Sequence, residues 1–224
     1  MDSFSPPAQS LLEAACGLST AEISDALDYF RLPGSAQGIG LQAGEPRIFG
    51  PAFTVAFVPV DTATPGTVGD YLDEIPRGAV AVLDNAGRID CTVWGGIMSK
   101  IAAHRGIAGT VINGVCRDTA EAQEASYPLY ARGRFMRTGK DRVQVSTVGE
   151  VVSLGDVRVK PGDYVVADAD GVVVVPLARA AEVFERALRT REVEGKILEA
   201  ALAGTSLGDA RRQFGYHTLQ RTGH

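Results

Sequence analysis

The sequence predicts an α/β fold, a compact domain in which helices flank a central β-sheet or sandwich, on three observations. Two continuous apolar runs, residues 78–83 and 109–112, alternate with segments of helical spacing. Past Tyr127 the chain breaks into short strands divided by turns, and a long, charged helix closes the pattern. Uninterrupted apolar runs of this length are what strands covered on both faces require, because neither face meets water.

Taken in order, Ser19-Thr20-Ala21-Glu22 has the form of a capping box ahead of Ile23, Ala26, Leu27 and Phe30. Leu32-Pro33-Gly34 then stops the helix, so residues 1–35 read as a helical N-terminal segment. A glycine-rich connection leads to Phe53-Thr54-Val55-Ala56-Phe57-Val58, β-branched and aromatic as a strand prefers. A short helix is expected over 68–75, ended by Pro76, and the strand at 78–83 is expected to stop at Asp84-Asn85. Residues 93–104 have helical spacing, with Ile97, Ile101 and Ala102 on one side and Gly106 past the last turn. The second buried strand ends in Asn113-Gly114, and a polar helix covers 118–125. Further strands are expected at 129–132, 142–151, 157–159 and 172–175, with Lys160-Pro161-Gly162-Asp163 as a turn. The final helix, 177–204, carries a broken apolar stripe of Val183, Leu188, Val193, Ile197 and Leu202. No repeat or long linker divides the chain, so one domain over 1–224 is the expectation.

Composition narrows the function. At 224 residues, 45% hydrophobic and 22% charged, the chain can bury one good core. It has no apolar run of membrane-spanning length, and its first residues lack a basic segment followed by a clean apolar stretch. A cytoplasmic protein with no membrane partner is expected. Cys16, Cys91 and Cys116 are odd in number and lack CxxC spacing, so they are read as reduced thiols rather than a disulfide or zinc framework. A net charge of −5 with scattered basic residues gives no footprint for nucleic acid, which leaves a small molecule as the expected partner.

The chemistry is expected where the two buried strands end, the usual ligand position in open α/β sheets. Trp94-Gly95-Gly96-Ile97-Met98 opens a helix, where paired glycines admit a ligand close to the backbone and N–H groups without intrahelical partners suit an anion. Paired glycines before a helix are more often a tight turn than an anion site. Arg117-Asp118 follows the second strand: an Arg grips a carboxylate with two parallel hydrogen bonds, and an Asp is a hard oxygen ligand for Mg²⁺ or Mn²⁺. Asp118-Thr119-Ala120-Glu121 also reads as a plain helix cap with Arg117 solvated.

Trp94-Gly95-Gly96, Gly106, Asn113-Gly114 and Arg117-Asp118, with twenty residues between Gly96 and Arg117, resemble the signature region of the RraA-like family, which includes 4-hydroxy-4-methyl-2-oxoglutarate aldolases. The likeness continues through Pro128-Leu129-Tyr130-Ala131-Arg132-Gly133, residues 161–168 and residues 170–176, and so spans roughly 20–205. It implies a class II type of aldolase or 2-oxo acid decarboxylase. Backbone N–H groups of Gly95, Gly96, Ile97 and Met98 with Arg117 would bind the pyruvyl part, and Asp118 would carry the divalent metal. Cleavage beside a 2-oxo acid leaves a pyruvate enolate whose charge such a cation stabilises, and loss of CO₂ from oxaloacetate gives the same enolate. For the proton on the 4-hydroxyl, a water on the cation is the first choice of base. The family's characterised aldolases commonly carry an Asp, in contact with the metal's water shell, where this chain has Gly96. Its regulatory branch, which inhibits ribonuclease E, typically lacks an Asp after the Arg, and this chain has Asp118. The resemblance further implies a homotrimer or homohexamer in which an acidic residue reaches the neighbour's site, with Glu194 the candidate and Glu199 the runner-up.

Other reactive groups have simpler readings. Lys100 could form a Schiff base, but nothing in the sequence buries it. His104 near a helix C-terminus suits the dipole, Cys116 beside Arg117 is a possible nucleophile without a nearby His, Trp94 either walls a pocket or packs under it, and Asp84 can orient a water. Two readings stand: a metal-dependent lyase acting on a small 2-oxo acid, and a non-catalytic regulator or binding protein on the same scaffold.

Overall fold

The computed structural model describes residues 7–216; residues 1–6 and 217–224 lie outside the described residues. The fold is α/β, with six α-helices among the described residues and two compact units. One unit is Ser35–Pro176, and the other joins the chain before it to the chain after it. No helix among the described residues is long and apolar enough to cross a membrane.

Ser35–Pro176 carries ten strands: β1 (Gly40–Ala43), β2 (Ile48–Pro59), β3 (Val80–Thr92), β4 (Gly109–Cys116), β5 (Leu129–Arg134), β6 (Val143–Val148), β7 (Val152–Leu154), β8 (Val157–Val159), β9 (Tyr164–Asp168) and β10 (Gly171–Val175). Eight of them form one sheet in the order β1-β5-β4-β3-β2-β9-β10, with β6 also on β2, while β7 and β8 pair as a hairpin. The central strands β2, β3, β4 and β5 are parallel. A parallel pair needs a crossover, and helices α3 (Gly96–Arg105) and α4 (Thr119–Glu124) supply those from β3 to β4 and from β4 to β5.

Both faces of the central strands are buried, which accounts for their unbroken apolar sequence. Ala81, Leu83 and Ile112 pack in one cluster with Trp94, Ala102 and Tyr127, while Val80, Val82 and Val111 pack in a second with Tyr130, Leu154 and Val174. Alternation along a strand sends neighbouring side chains to opposite clusters. Each fully buried aliphatic side chain contributes roughly 1.5–3 kcal/mol.

Several elements differ from their sequence reading. The helix expected over 68–75 is a 3₁₀ turn, Asp70–Glu74. β1 and β9 are strands that the pattern does not announce; β1 is held by its antiparallel pairing with β5. Of the strand expected at 142–151 only β6 is formed; it ends before Gly149, whose φ of 75° an L side chain rarely adopts, and β7 begins beyond that stretch at Val152. β3 does not stop at Asp84-Asn85 but runs on to Thr92, and its register with β4 shifts: Asp84 faces Asn113, Arg88 faces Gly114 and Thr92 faces Val115. Likewise β4 does not end at Asn113-Gly114 but runs on to Cys116. Asp84 is fully committed to structure. Its carboxylate accepts from Asn113 Nδ2 at 2.9 Å, from the Ala86 N–H at 2.9 Å and from the Ser153 N–H at 3.0 Å, which corrects its reading as a holder of site water.

The second unit is helical. It contains α1 (Gln9–Ala15), α2 (Thr20–Tyr29), a 3₁₀ turn (Leu177–Arg179), α5 (Ala180–Leu202) and α6 (Leu207–Gln213). The capping box at Ser19 forms as expected, with Ser19 Oγ accepting from the Glu22 N–H and the Glu22 carboxylate accepting from the Ser19 N–H at 2.7 Å. The same carboxylate takes two bonds from Arg191 of α5, Nε at 2.6 Å and Nη2 at 2.5 Å, and Nη2 also donates to the Gly17 carbonyl. One carboxylate therefore caps α2 and fastens α5. On α5, Val183, Phe184, Ala187 and Ile197 are buried, whereas Leu202 of the expected stripe is exposed.

Burial pushes the Glu22 carboxyl up, but the bonds from Arg191 and Ser19 outweigh it and hold it below its ordinary value of 4.5. A lowered acid stabilises the fold above its unfolded-state pKa and loses that contribution as pH falls through the folded value. Arg191→Ala is expected to cost about 2 kcal/mol at pH 7 and to flatten the loss of stability between about pH 5 and pH 3, as read by urea unfolding at stepped pH.

Candidate active site

The site is built where β3 and β4 hand over to their helices. Past β3, Thr92 Oγ1 accepts from the Trp94 N–H at 3.2 Å and donates to the Trp94 carbonyl at 2.9 Å. Trp94 Nε1 donates to Ser99 Oγ at 2.9 Å, and Ser99 Oγ donates to the Gly95 carbonyl at 3.3 Å. Trp94 is 1% exposed and its ring stacks on Tyr127, centroids 6.0 Å apart. The loop before α3 is thus held from beneath by groups buried from solvent. Trp94 both packs under the site and lines it.

Gly95, extended at φ −143°, is the N-cap of α3 and has no side chain to cap it. The cap comes from elsewhere: the Gly96 N–H donates to Asp118 Oδ2 at 2.9 Å. Asp118 stands at the N-cap of α4 but makes no side-chain bond to its own helix, and its φ of 54° is left-handed. That conformation costs an Asp about 1 kcal/mol and turns the carboxylate away from α4 toward α3. The plain-cap reading of Asp118 is therefore corrected, since it caps the other helix. Of the N–H groups in the first turn of α3, that of Gly96 is engaged, while those of Ile97 and Met98 meet no partner among the described residues.

Arg117 lies beside Asp118, its Nε 3.4 Å from Asp118 Oδ2, and its Nη1 reaches the Met136 carbonyl at 3.5 Å. The Nε is buried and makes no hydrogen bond. Arg117 and Asp118 side chains are 37% and 38% exposed, so both still reach solvent. They open onto a cavity of about 470 Å³ that is also lined by Gly95, Gly96, Ile97 and Met98. Trp94, Gly95, Gly96, Ile97, Met98, Arg117 and Asp118 thus border one cavity, whereas Asp84, Asn113, Gly114 and Cys116 at the same strand ends do not. Sequence reading missed Thr92, Ser99 and Thr138, and the wall from Val68 to Asp73; Ser99 was legible only as one more small residue on a helix.

Neither glycine has spare room. A Cβ on Gly95 would stand 2.9 Å from Asp118 Oδ2 and 3.5 Å from Arg117 Nε. On Gly96 it would stand 3.0 Å from the Glu121 carboxyl carbon and 3.2 Å from Asp118 Cβ. The volume beside position 96 is occupied by Glu121, which has no hydrogen-bond or ion-pair partner for its side chain among the described residues.

The remaining reactive groups are accounted for. Lys100 is 56% exposed, pairs with Glu124 at 3.7 Å and does not border the cavity, so it lacks the burial a Schiff-base lysine needs. Burial pushes the Cys116 thiol up to about 12, which leaves it neutral and corrects its reading as a nucleophile. His104 sits in the last turn of α3. Glu194 lies on α5, half-buried, its pKa raised by burial and then by the Asp25 and Glu22 carboxylates. No group of three His, Cys, Asp or Glu side chains among the described residues is arranged to cage a metal ion. The donor at the cavity is a carboxylate oxygen, and Mg²⁺ is ordinarily held by one or two carboxylates with water and substrate oxygens completing its shell, so Asp118 fits such a cation.

Residues 20–174 match the Aldolase/RraA model of the RraA-like family, and the chain belongs to that family. Among solved structures, an uncharacterised protein from Pseudomonas syringae pv. tomato is 43% identical, with a TM-score of 0.85 over 93% of this chain and 100% of that one. Streptomyces coelicolor RraAS2, described as an unusual member of the RNase ES inhibitor RraA protein family, is 26% identical, with a TM-score of 0.76 over 84% of this chain and 96% of that one. Protein DlpA of Legionella pneumophila is 35% identical over 92% of this chain, which spans only 34% of that protein's length. A Halalkalibacterium halodurans protein named "Putative 4-hydroxy-4-methyl-2-oxoglutarate aldolase" is 30% identical over 83% of this chain and 85% of its own.

In the native protein, a maleimide at pH 7.5 is expected to label Cys16, which is exposed, and to spare Cys91 and Cys116, which are buried; all three label after unfolding, as read by intact-mass spectrometry.

Proposed function

We propose that the chain is a carbon–carbon lyase that releases pyruvate from a small 2-oxo acid, with Mg²⁺ or Mn²⁺ held at Asp118. The observation that carries this reading is the meeting, in one cavity, of Arg117 with a buried Nε that has no hydrogen bond, the Asp118 carboxylate and the first turn of α3. The names of relatives such as the Halalkalibacterium protein support it.

Arg117 binds the carboxylate of the 2-oxo acid, and the Ile97 and Met98 N–H groups face the same anion from the positive end of α3. Trp94 and Ser99 keep the Gly95 and Gly96 peptides in place, so the donors do not reorganise as negative charge develops on the reacting oxygen. Apolar side chains such as Leu72 and Met98 line the cavity beside the enolate that cleavage leaves. When bound, the cation supplies a Lewis acid that stabilises that charge. Assembly into a homotrimer or homohexamer, with Glu194 reaching a neighbouring copy's site, belongs to the same proposal. The similarity to RraAS2 favours a second reading, a regulator of RNA processing that binds without catalysis.

Pyruvate release from 4-hydroxy-4-methyl-2-oxoglutarate and from oxaloacetate separates the two. The lyase reading expects release with Mg²⁺ or Mn²⁺, its loss in EDTA, and a fall of at least about 100-fold in Asp118→Ala. Release that persists in EDTA would overturn the metal at Asp118, and no release would favour the regulator. Gly95→Ala adds a methyl group in an allowed backbone region, yet it presses on the Asp118 carboxylate. Its melting temperature is expected to stay within about 4 °C of wild type, while kcat/KM falls at least about tenfold.

A further inference from the structure

One wall of the cavity comes from the chain between β2 and β3, outside the sheet. It contributes Val68, Gly69, Asp70, Leu72 and Asp73 to the lining and packs on α3: a Cβ on Gly69 would stand 3.5 Å from Met98 Sδ. The segment enters at Thr67, whose carbonyl accepts from the Val145 N–H of β6 at 3.0 Å. It leaves at Gly78, whose N–H donates to the Gly106 carbonyl at 2.9 Å, just past α3. Between these anchors one residue fastens it sideways. Arg105, in the last turn of α3, gives Nη1 to Asp73 Oδ1 at 2.6 Å and Nη2 to the Asp73 carbonyl at 2.7 Å. Among the described residues, these are the hydrogen bonds that tie residues 68–77 to another element.

The Asp73 side chain is 88% exposed, and a plain ion pair there would contribute little. The guanidinium fork, however, takes a side-chain oxygen and a main-chain oxygen of the same residue at once, so it fixes the backbone of the 3₁₀ turn as well as a carboxylate. The packing beneath is less directional. Leu72 and Ile75 are buried, and Tyr71 meets Phe57 edge-on with ring centroids 6.1 Å apart, its buried hydroxyl having no hydrogen-bond partner among the described residues. Apolar contact sets how deep the wall sits, and the fork sets where along α3 it sits. We propose that Arg105 is a positioning residue: through Asp73 it holds the wall 68–73 in register with α3, and so sets how tightly the cavity grips the part of the substrate that does not react. This rests on the lyase reading above and adds to it a residue outside the cavity lining. The reacting corner is held separately, by the bonds of Gly96 with Asp118 and of Trp94 with Ser99. Losing the wall's position therefore weakens the binding of substrate and transition state alike, which raises KM and spares kcat.

The test measures kcat and KM in Mn²⁺ for wild type, Arg105→Ala and Arg105→Lys, with whichever of 4-hydroxy-4-methyl-2-oxoglutarate and oxaloacetate the wild type cleaves faster. Hydrogen–deuterium exchange without substrate reads the wall itself, and light scattering reads the mass of the assembly. Arg105→Ala is expected to raise KM at least about fivefold with kcat within about twofold. Its exchange over residues 68–75 is expected to quicken at least about tenfold, while residues 80–83 of β3 stay protected and the mass is unchanged. Arg105→Lys keeps the charge without the fork, and its KM is expected to lie between those of wild type and Arg105→Ala. A lysine variant with the wild-type KM would overturn the fork as the cause. An unchanged KM in Arg105→Ala, a raised KM without faster exchange at 68–75, or a changed assembly mass would overturn the inference and leave the lyase intact. Absence of pyruvate from the wild-type reaction would overturn the lyase reading and this inference with it.

Discussion

The contact on which the site depends is the bond from the Gly96 N–H to the Asp118 carboxylate. It joins the start of α3 to the end of β4, two points that the sheet brings together but that no strand pairing holds in place. Two departures from ordinary structure are needed to make it. Gly95 must lack a Cβ, which would crowd the carboxylate, and Asp118 must take a left-handed backbone to turn from its own helix. With both in place, Arg117 is carried alongside, and its Nε lies against the same oxygen. An arrangement that gives up backbone comfort at one residue and a side chain at another is one the surrounding packing must over-determine. The Trp94–Tyr127 stack and the Trp94–Ser99 bond supply that packing from below.

Much of this could be read in the sequence, and the parts that could not have a common cause. The buried runs at 78–83 and 109–112, the capping box at Ser19 and the glycine after α3 are local signals, each written in a few adjacent residues. The Arg117-Asp118 pair and the Gly95-Gly96 pair were visible for the same reason. What escaped is set by partners distant in sequence. β1 is a strand because β5 lies beside it, and Asp84 is structural because Asn113 and Ser153 reach it. Asp118 looked like the cap of the helix it precedes; only the fold puts a closer claimant, twenty-two residues back, within 2.9 Å.

Position 96 shows how two helices share one spot. Gly96 brings no side chain, and Glu121 of α4 stands in the volume beside it, its carboxyl carbon 3.0 Å from where a Cβ would be. An acidic side chain therefore lies next to Asp118 through the packing of α3 against α4.

The overrun of β3 bears on how such a protein can change over time. Between Asp84 and Thr92 this strand advances eight residues while its neighbour β4 advances two, from Asn113 to Val115. The surplus chain is anchored at both ends by pairing and puts Ile89, largely solvent-exposed, at its outer part. Because lengthening an already extruded segment adds little closure entropy, residues can be gained or lost there with small thermodynamic penalty. Thr92, where the segment ends, is also where the hydrogen-bond chain to Trp94 and Ser99 begins. The outer part of the excursion around Ile89 is therefore held less tightly than the reactive corner to which it leads.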